Sequence, residues 1–379
     1  YDLKNVPPGL WADEAANGVN TLQILEGSPP AGGWKVFYPE NFGREGLFIN
    51  IQSLFVWALG TEPWALRLPS AIIGILTVLG LYLMTKELFY LGLGNLSARR
   101  VALFSAFFLA TSFWHINFSR IGFRAIMAPF FLVWSFYALL LLMRKAREEK
   151  ILGGDAPFRN IIPTSGGMGL KNFFSLRLEL IAAISGLLFG LGFHTYLAYR
   201  IAPIIALYPL WIFFRNWRQD VRRPTSKYCA PCLIMLFILM AIVVASPLLI
   251  YYAQNPADFF GRTSGISIFQ SPNPLAKFSE NFVKTFQMFF LFGDFNWRHN
   301  FAGASQLWWP VGLLFLLGLL ISIAKIIKNP KSEARNPKQY QNSNELNPKP
   351  FKKFGFGIWD LFRISDFRFG TFKNHFPYK

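Results

Sequence analysis

Charged residues are scarce in this chain: they make up 15% of its 379 residues, whereas 53% are hydrophobic and the mean hydropathy is +0.32. This composition excludes an ordinary soluble enzyme. Acidic residues are the scarcer sign, with 20 Asp and Glu against 38 Lys and Arg, which gives a formal net charge of +18. Because the basic excess lies beside apolar segments and in the C-terminal tail, membrane topology explains it better than nucleic acid, and we expect no nucleic-acid partner.

Cysteine is nearly missing, and phosphate-binding glycine loops are missing altogether. Cys229 and Cys232 have the spacing of a redox pair or half a zinc site, but no second Cys pair or His is nearby. We therefore interpret them as two small apolar residues at a helix start. No Walker or dinucleotide-type loop occurs, so a soluble nucleotide is not supported as the direct energy source. No cofactor is assigned, and a divalent metal is left open.

Long apolar runs bounded by charged residues recur along the chain. Several approach the roughly 20 residues that a helix needs to cross a bilayer. The sequence therefore predicts an all-α polytopic membrane protein, for which the lipid bilayer is the first partner. We predict seven spans, near residues 68–89, 101–114, 125–143, 179–198, 201–214, 231–252 and 309–327.

The basic loops set the orientation of the predicted spans. Residues 144–178 and 215–228 are rich in Lys and Arg, whereas residues 1–66 are acidic. Because basic loops stay cytoplasmic, alternation of the spans places residues 1–66, 115–124 and 253–308 on the outer face. We predict a multi-pass protein of the plasma (inner) membrane with its active site on the extracytoplasmic side.

The same division predicts three parts of the chain. Residues 1–66 form an outer-face loop with amphipathic interfacial helices, and residues 67–328 form a transmembrane helix bundle with the outer loop 253–308. Residues 329–379 are basic and rich in Asn, Lys and Pro before they become aromatic, and we expect this tail to be disordered or non-native sequence.

Two interfacial helices are predicted in the first loop. Ala15, Val19, Leu22 and Leu25 recur at helical spacing, which indicates an amphipathic helix lying on a surface. The apolar piece Leu47–Leu59 is too short to span comfortably and is also placed at the interface, with a tilted or buried crossing as the alternative.

Asp13 and Glu14 are adjacent carboxylates at the predicted start of the first interfacial helix. A general base needs such a carboxylate near low-dielectric surroundings, where its pKa is tuned. The alternative is helix capping, because Asp is a favoured N-cap and Glu in a first turn suits the helix dipole.

Further charged residues lie in or beside the first loop. Arg44 and Glu45 precede the second interfacial helix, as substrate contacts or as a local salt bridge. Arg67 stands at the outer mouth of the first span, where snorkelling to lipid head groups explains it.

Arginines also mark the outer ends of later spans. Arg120 and Arg124 present planar forks that match phosphate oxygens, with interfacial anchoring as the alternative. His194, Tyr196 and Arg200 cluster at the outer end of the fourth span, where Tyr is also expected from the aromatic belt. We take Arg200 as a third phosphate candidate and His194 and Tyr196 as substrate-binding candidates.

Residues 293–300 concentrate donors, acceptors and an aromatic face. Trp297, Arg298 and His299 are candidate substrate contacts, because sugar hydroxyls need polar partners and a sugar C–H face stacks on Trp; a polar loop is the alternative. His299 and Asp294 lack a further local ligand at diagnostic spacing, so no metal site is predicted.

Five motifs in order resemble one known family. They are Pro-Pro-Gly-Leu-Trp-Ala-Asp-Glu-Ala-Ala-Asn-Gly (7–18), Gly-Arg-Glu-Gly-Leu-Phe (43–48), Leu-Arg-Leu-Pro-Ser-Ala (66–71), Ser-Arg-Ile-Gly-Phe-Arg-Ala (119–125) and Asn-Trp-Arg-His-Asn (296–300). Over roughly residues 6–325 the chain is similar to the dolichyl-phosphate-mannose-protein mannosyltransferase-like family of prokaryotes, glycosyltransferase family 39, whose membrane-embedded fold is called GT-C.

The resemblance implies an inverting transferase that moves a sugar from a polyprenyl-phosphate carrier to a protein or glycolipid acceptor on the outer face. In that family the Asp of the Asp-Glu pair is the catalytic carboxylate, which corresponds to Asp13, with Glu14 as its neighbour in the site. Members often carry a charged residue followed by Pro-Pro before the second loop helix; the nearest match is Arg44-Glu45-Gly46, a departure that leaves the acceptor or carrier contacts open there. Position and charge make Arg120 and Arg124 candidates for the carrier phosphate.

A transporter or flippase of lipid-linked saccharides is the alternative function. Such a protein more often places charges mid-span on broken helices with repeated halves, and no internal repeat is evident. A membrane protein that has kept the fold without catalysis is a third class. Because family members begin with a transmembrane helix before the Asp-Glu loop and continue through further spans, we expect this chain to be a fragment.

Overall fold

A computed structural model describes residues 2–27, 33–153, 169–221, 228–265 and 267–328. The predicted tail 329–379 lies outside these residues. The chain divides into two compact units, Tyr1–Leu317 and Gly318–Lys379. Apart from the last turns of the final helix, the elements below belong to the first unit.

Helices make up nearly all of the regular structure in the described part, so the all-α prediction is confirmed. The GT-C arrangement stays a prediction. The helices are α1 (Ala12–Glu26), α2 (Leu47–Leu59), α3 (Pro63–Leu93), α4 (Asn95–Ala110), α5 (Phe113–Arg120), α6 (Met127–Gly153), α7 (Gly169–Gly192), α8 (Ala202–Val221), α9 (Ala230–Gln254), α10 (Pro256–Gly265), α11 (Pro274–Phe290) and α12 (Trp309–Lys328). A small antiparallel hairpin of β1 (Phe37–Tyr38) and β2 (Arg44–Glu45) pairs Phe37 with Glu45 and Tyr38 with Arg44.

Several helices have the length and composition of membrane spans, which makes this a multi-pass membrane protein. In the described residues four segments qualify: Pro63–Tyr90, Arg124–Glu148, Leu197–Arg218 and Ala230–Gln254. The pair α4 and α5 passes the same test together but is bent by 59°, so it is a fifth span if it counts as one. Two predicted spans match shorter apolar helices, Leu178–Gly192 and Trp309–Ala324.

The predicted turn at residues 115–124 is wrong, because a separate helix, α5, continues to Arg120. The break lies earlier, at Thr111 and Ser112. The Thr111 hydroxyl donates to the carbonyl of Phe107 at 2.9 Å, and Ser112 has an extended backbone. Hydroxyl side chains that compete for backbone groups bend or end helices in this way.

The predicted span 179–198 ends early, at Gly192. A Cβ atom at Gly192 would lie 1.9 Å from Cζ of Tyr199, so this position accommodates the Tyr199 ring only as glycine. The chain then turns and returns to α8 through the short 3-10 helix Leu197–Ile201. This turn positions His194 and Tyr196.

The helices pack mainly against helices that are near them in sequence, and α7 and α9 cross closely. Helix α3 packs against α4 and α6, and α7 packs against α6 and α9. Helices α7 and α9 approach so closely that a Cβ at Gly186 would lie 2.2 Å from the carbonyl oxygen of Phe237. Buried aromatic and aliphatic side chains, including Met127, Phe189 and Phe237, fill the core beneath the site described below.

The two cysteines lie at the start of α9, as predicted, but they are bonded to each other, so their interpretation as small apolar residues is wrong. They flank the first turn of α9, where their Cα atoms are 5.3 Å apart. That separation lies within the range that a disulfide bridges.

The first loop contains the two predicted helices. Helix α1 buries a polar face that includes Asn17 and Thr21, and it leaves Val19 (55%), Leu22 (38%) and Leu25 (40%) exposed. An apolar stripe that faces away from the protein is what an interfacial helix requires. Helix α2 has the predicted bounds.

Candidate functional site

The three segments that the predicted topology assigns to one face meet at one end of the bundle. The backbone N–H of Gly122 donates to Glu14 Oε1 at 2.7 Å, which joins α1 to the α5–α6 junction. Asn117 Nδ2 donates to the carbonyl of Arg298 at 2.6 Å, which joins α5 to the loop after α11. Arg298 in turn pairs with Asp13. Residues far apart in sequence therefore form one polar surface.

Asp13 is the partly exposed carboxylate of this surface. Its side chain is 21% exposed and lies in the first turn of α1. One oxygen accepts a hydrogen bond from Asn41 Nδ2 at 2.7 Å, and the other accepts from Arg298 Nη1. A carboxylate held by two donors at a surface is oriented and still accessible to a substrate.

Arg298 is the cation closest to this carboxylate. Its guanidinium carbon lies 5.2 Å from the centroid of Trp11 and 5.4 Å from that of Phe123. Trp297 touches Trp11 edge to face, with centroids 4.5 Å apart, and its own side chain is 69% exposed. The site therefore combines aromatic faces, a carboxylate and a guanidinium that stands over two of the rings.

His299 connects Arg298 to a second carboxylate. Its Nε2 lies 2.9 Å from Arg298 Nε and 2.7 Å from Nη2, and its Nδ1 lies 3.2 Å from Asp294 Oδ2. Burial, followed by the charge of Arg298, lowers the pKa of His299 below its ordinary 6.5. The network therefore assigns a neutral ring whose Nδ1–H donates to Asp294 and whose Nε2 accepts from Arg298.

Glu14 points the other way, into the protein, where it is 1% exposed. Arg67 donates to it twice, through Nε at 2.8 Å and Nη2 at 3.1 Å. The N–H of Trp11 donates to the same carboxylate at 3.0 Å. Both oxygens of Glu14 thus accept hydrogen bonds inside the fold, and Glu14 is a structural neighbour of the site.

Arg67 is 0% exposed, so the snorkelling interpretation is wrong. It lies in the second turn of α3, which begins at Pro63. Besides Glu14 it holds three backbone carbonyls, those of Leu3, Pro7 and Gly9. Arg67 therefore fastens the segment that leads into α1.

Arg120 holds the same N-terminal segment from a second side. Its Nη2 donates to the carbonyls of Val6 at 2.9 Å and Asp2 at 3.2 Å. The structure thus places this phosphate candidate on backbone oxygens.

Arg124 and Glu45 form a buried ion pair, with Arg124 Nε 3.0 Å from Glu45 Oε2. The pair joins β2 to the start of α6, and Glu45 neutralises the charge that the sequence analysis assigned to a phosphate. Arg44 is also buried and donates to Asn17 and Asn20 of α1. Burial, then repulsion from Arg124, lowers the pKa of Arg44, while Glu40 and, less strongly, Asp13 act in the opposite sense.

The cluster at the end of α7 lies beside the hairpin. Arg124 stands over the Tyr196 ring at 5.4 Å, and His194 Nε2 lies 2.8 Å from the carbonyl of Val244. Arg200 stands over the Phe259 ring at 4.2 Å and donates to the Tyr252 hydroxyl at 3.2 Å. These contacts attach the α7–α8 turn to α9 and α10.

An apolar groove of about 310 Å³ opens between the hairpin and the end of α9. Its lining includes Lys35, Phe37, Ile250 and Tyr251. Ile250 is itself 56% exposed on the surface of a membrane-spanning helix. A groove that continues onto such a surface, with one cation at its rim, suits a lipid chain better than a sugar.

Sequence reasoning missed Asn41 and Trp11 as members of the site. Asn41 has a φ of 54° at the hairpin tip, in a Asn-Phe-Gly turn. Asn tolerates the left-handed region, so the Asn-Phe-Gly sequence could have predicted a turn with an exposed side-chain amide. Among the described residues, no group of three or more His, Cys, Asp or Glu is placed to hold a metal ion.

Comparisons with protein-family models, with curated proteins and with solved structures find no match to this chain.

Proposed function

We propose that the chain is a membrane glycosyltransferase that moves a sugar from a polyprenyl-phosphate carrier to a protein or glycolipid acceptor with inversion. The observation that carries the proposal is the Asp13–Arg298 pair between aromatic faces, at an end of a membrane bundle. It combines a base, a cation for a phosphate and rings for a sugar. The extracytoplasmic location and the mannosyltransferase-like type rest on the sequence argument above.

Asp13 is the proposed general base. It would take the proton of the acceptor hydroxyl while the acceptor oxygen bonds to the anomeric carbon. The bond from that carbon to the phosphate oxygen breaks in the same step, and the carrier leaves as polyprenyl phosphate with the electron pair. One displacement of this kind inverts the anomeric centre.

Arg298 is the proposed phosphate-binding group, in preference to the three arginines chosen from sequence. Arg124 is neutralised by Glu45, Arg120 holds backbone carbonyls, and Arg200 packs on α9 and α10. Arg298 pairs with Asp13, so a bound phosphate would draw the guanidinium away and free the carboxylate. The guanidinium would keep its hydrogen bonds to His299, which Asp294 holds, while it changes partner from Asp13 to the phosphate.

The groove beside Lys35 is the proposed place for the first units of the carrier chain. Apolar burial favours such a chain at about 0.8 kcal/mol per CH₂ group. No nucleotide is required in this scheme.

Transport of a lipid-linked saccharide is the second candidate, and the 59° bend between α4 and α5 favours it. Broken spans often line substrate paths in transporters. The two functions differ in the fate of the bond between sugar and phosphate, which only the transferase breaks.

The test compares wild type with Asp13→Asn and Glu26→Gln in membranes that carry the full-length protein. Glu26 is an exposed carboxylate at the other end of α1, so Glu26→Gln is a matched control. The substrates are a panel of radiolabelled polyprenyl-phosphate sugars. We expect Asp13→Asn to lower sugar transfer by roughly 10²- to 10⁴-fold with unchanged thermal stability, and Glu26→Gln to have wild-type activity.

Wild-type transfer in the Asp13→Asn variant would remove Asp13 from the catalytic role. Carrier that crosses the bilayer with its sugar still attached would assign the protein to the transporters.

A further inference from the structure

Helix α11 presents an apolar face that the described part of the chain leaves largely exposed. Leu275 is 75% exposed, Phe278 52%, Phe282 64%, Val283 51% and Phe286 44%, and none of the residues of α11 is buried. At 100° per residue these side chains fall on one side of the helix. A continuous stripe of large apolar residues in contact with water is costly, so it needs a partner.

The opposite face of α11 is charged. Glu280 lies between Lys277, at 3.1 Å, and Lys284, at 2.5 Å, each one turn away. All three side chains are substantially exposed. A strongly apolar face opposite a charged face is the pattern of a helix that lies in the plane of a membrane surface.

The end of α11 contacts a further apolar helix that carries exposed tryptophans. The ring of Phe315 in α12 lies 5.9 Å from both Phe289 and Phe290, so the end of α11 is attached to an apolar helix. Trp308 (70% exposed) and Trp309 (68%) stand at the start of that helix. Exposed Trp at the end of an apolar helix marks the boundary between hydrocarbon and water. The last turn of α11 lies at that level.

We infer that α11 lies on the outer face of the membrane with its apolar side in the lipid, and that it thereby holds the Arg298 loop over Asp13. The inference about lipid does not depend on the transfer reaction. The helix of 17 residues is about 25 Å long, which is enough for a surface anchor.

The attachment to the loop is direct. The N–H groups of Gln306 and Leu307 donate to the carbonyls of Met288 and Phe289 in the last turn of α11, at 3.0 and 3.3 Å. The loop between them closes on itself through Gly303 N–H to the carbonyl of Asp294 at 3.0 Å. Arg298 and His299 lie in this loop, so its position follows that of α11.

The first test measures the depth of single spin labels in the full chain reconstituted in lipid nanodiscs, with Cys229 and Cys232 replaced by Ala. Labels at Phe282→Cys and Phe278→Cys report on the apolar face, and labels at Lys284→Cys and Lys277→Cys are the matched controls on the charged face. We expect the first pair to be accessible to oxygen and shielded from a water-soluble nickel reagent, and the second pair to show the reverse.

Equal accessibility of both faces to the nickel reagent would overturn the inference. Labels at Phe282 and Phe278 that are shielded from both reagents and broadened by spin–spin coupling would show that a second copy of this chain covers the face, which also overturns it.

The second test asks whether the anchor holds the loop. In the double variant Phe278→Ser/Phe282→Ser we expect amide hydrogen exchange in residues 293–304 to become roughly 10-fold faster, and exchange in α9 to stay unchanged. Lys277→Ser/Lys284→Ser is the control and should leave both rates alone. Unchanged exchange in residues 293–304 would refute the coupling. Faster exchange in residues 293–304 in the double variant, together with no sugar transfer by the wild type, would support the anchor and contradict the proposed function alone.

Discussion

Asp13 and Glu14 are neighbours in α1, yet they lie in opposite surroundings. Successive residues of a helix point about 100° apart, so the two carboxylates face different sides. Glu14 points into the bundle and meets Arg67, and both side chains are nearly inaccessible, at 2% and 0% exposed. Asp13 points along the surface and meets Arg298, and these side chains are 21% and 17% exposed.

The difference shows that the two adjacent carboxylates have different roles. A buried ion pair leaves an uncompensated charge when one partner is removed, so it constrains the fold strongly. A partly exposed pair is screened by solvent and stabilises little, so it is able to exchange partners. The Glu14–Arg67 pair fixes the start of α1, and the Asp13–Arg298 pair is available for chemistry.

The largest expected effect is on stability, from Glu14→Gln. This change leaves the Arg67 guanidinium buried without its carboxylate and should lower the free energy of unfolding by ~3–5 kcal/mol. Thermal unfolding in detergent measures it, with Asp13→Asn as the control. Equal loss of stability in the two variants would abolish the distinction between the two pairs.

A smaller effect is expected on activity from Arg298→Lys. Lysine keeps the charge but lacks the fork that reaches both Asp13 and His299. Loss of one or two hydrogen bonds predicts a fall in kcat/KM on the order of tenfold, with little change in stability. Arg120→Lys serves as the control, and its steady-state kinetics should be closer to wild type. If Arg298→Lys is fully active, the guanidinium geometry does not matter.

Acid is expected to lower the stability of the fold through protonation of His299. The folded-state pKa of His299 lies below its ordinary 6.5, so as the pH falls the unfolded chain binds the proton first. The free energy of unfolding should therefore decrease on acidification from about pH 7, by at most ~1.4 kcal/mol per pH unit for one proton.

Unfolding of wild type and His299→Gln between pH 7.5 and 5, in the same detergent, isolates this ring by difference. The wild type should lose more stability than the variant over that interval. Parallel curves would mean that His299 does not titrate differently in the folded and unfolded states.

The smallest effect is expected from Asn41→Ala. It removes the hydrogen bond from the Asn41 amide to the Asp13 carboxylate at a partly exposed position, where water replaces the amide, so sugar transfer should fall only a few-fold. Asn5→Ala is the control, because Asn5 donates an exposed hydrogen bond of 2.9 Å to Asp2. Sugar transfer is measured for each variant in membranes prepared in the same way. Equal transfer rates for Asn41→Ala and Asn5→Ala would contradict the role of Asn41.

The sequence by itself determined the class of protein and the position of most helices. Helix α2 spans Leu47–Leu59 as expected, and α8, α9 and α12 begin within one residue of the predicted spans at 201, 231 and 309. Apolar runs and helical periodicity are local properties, because a helix hydrogen-bonds within itself and a bilayer sets its length. Asp13 was also identified from sequence as a candidate base.

The tertiary structure decided which charges are free for chemistry. Arg67 and Arg298 look alike in sequence. Arg67 pairs with Glu14, 53 positions away, and is buried, whereas Arg298 pairs with Asp13, 285 positions away, and stays at the surface. The helix end at Gly192 likewise depends on where the Tyr199 ring lies. Burial and ion pairing arise from contacts between distant segments, and no local pattern of residues encodes them.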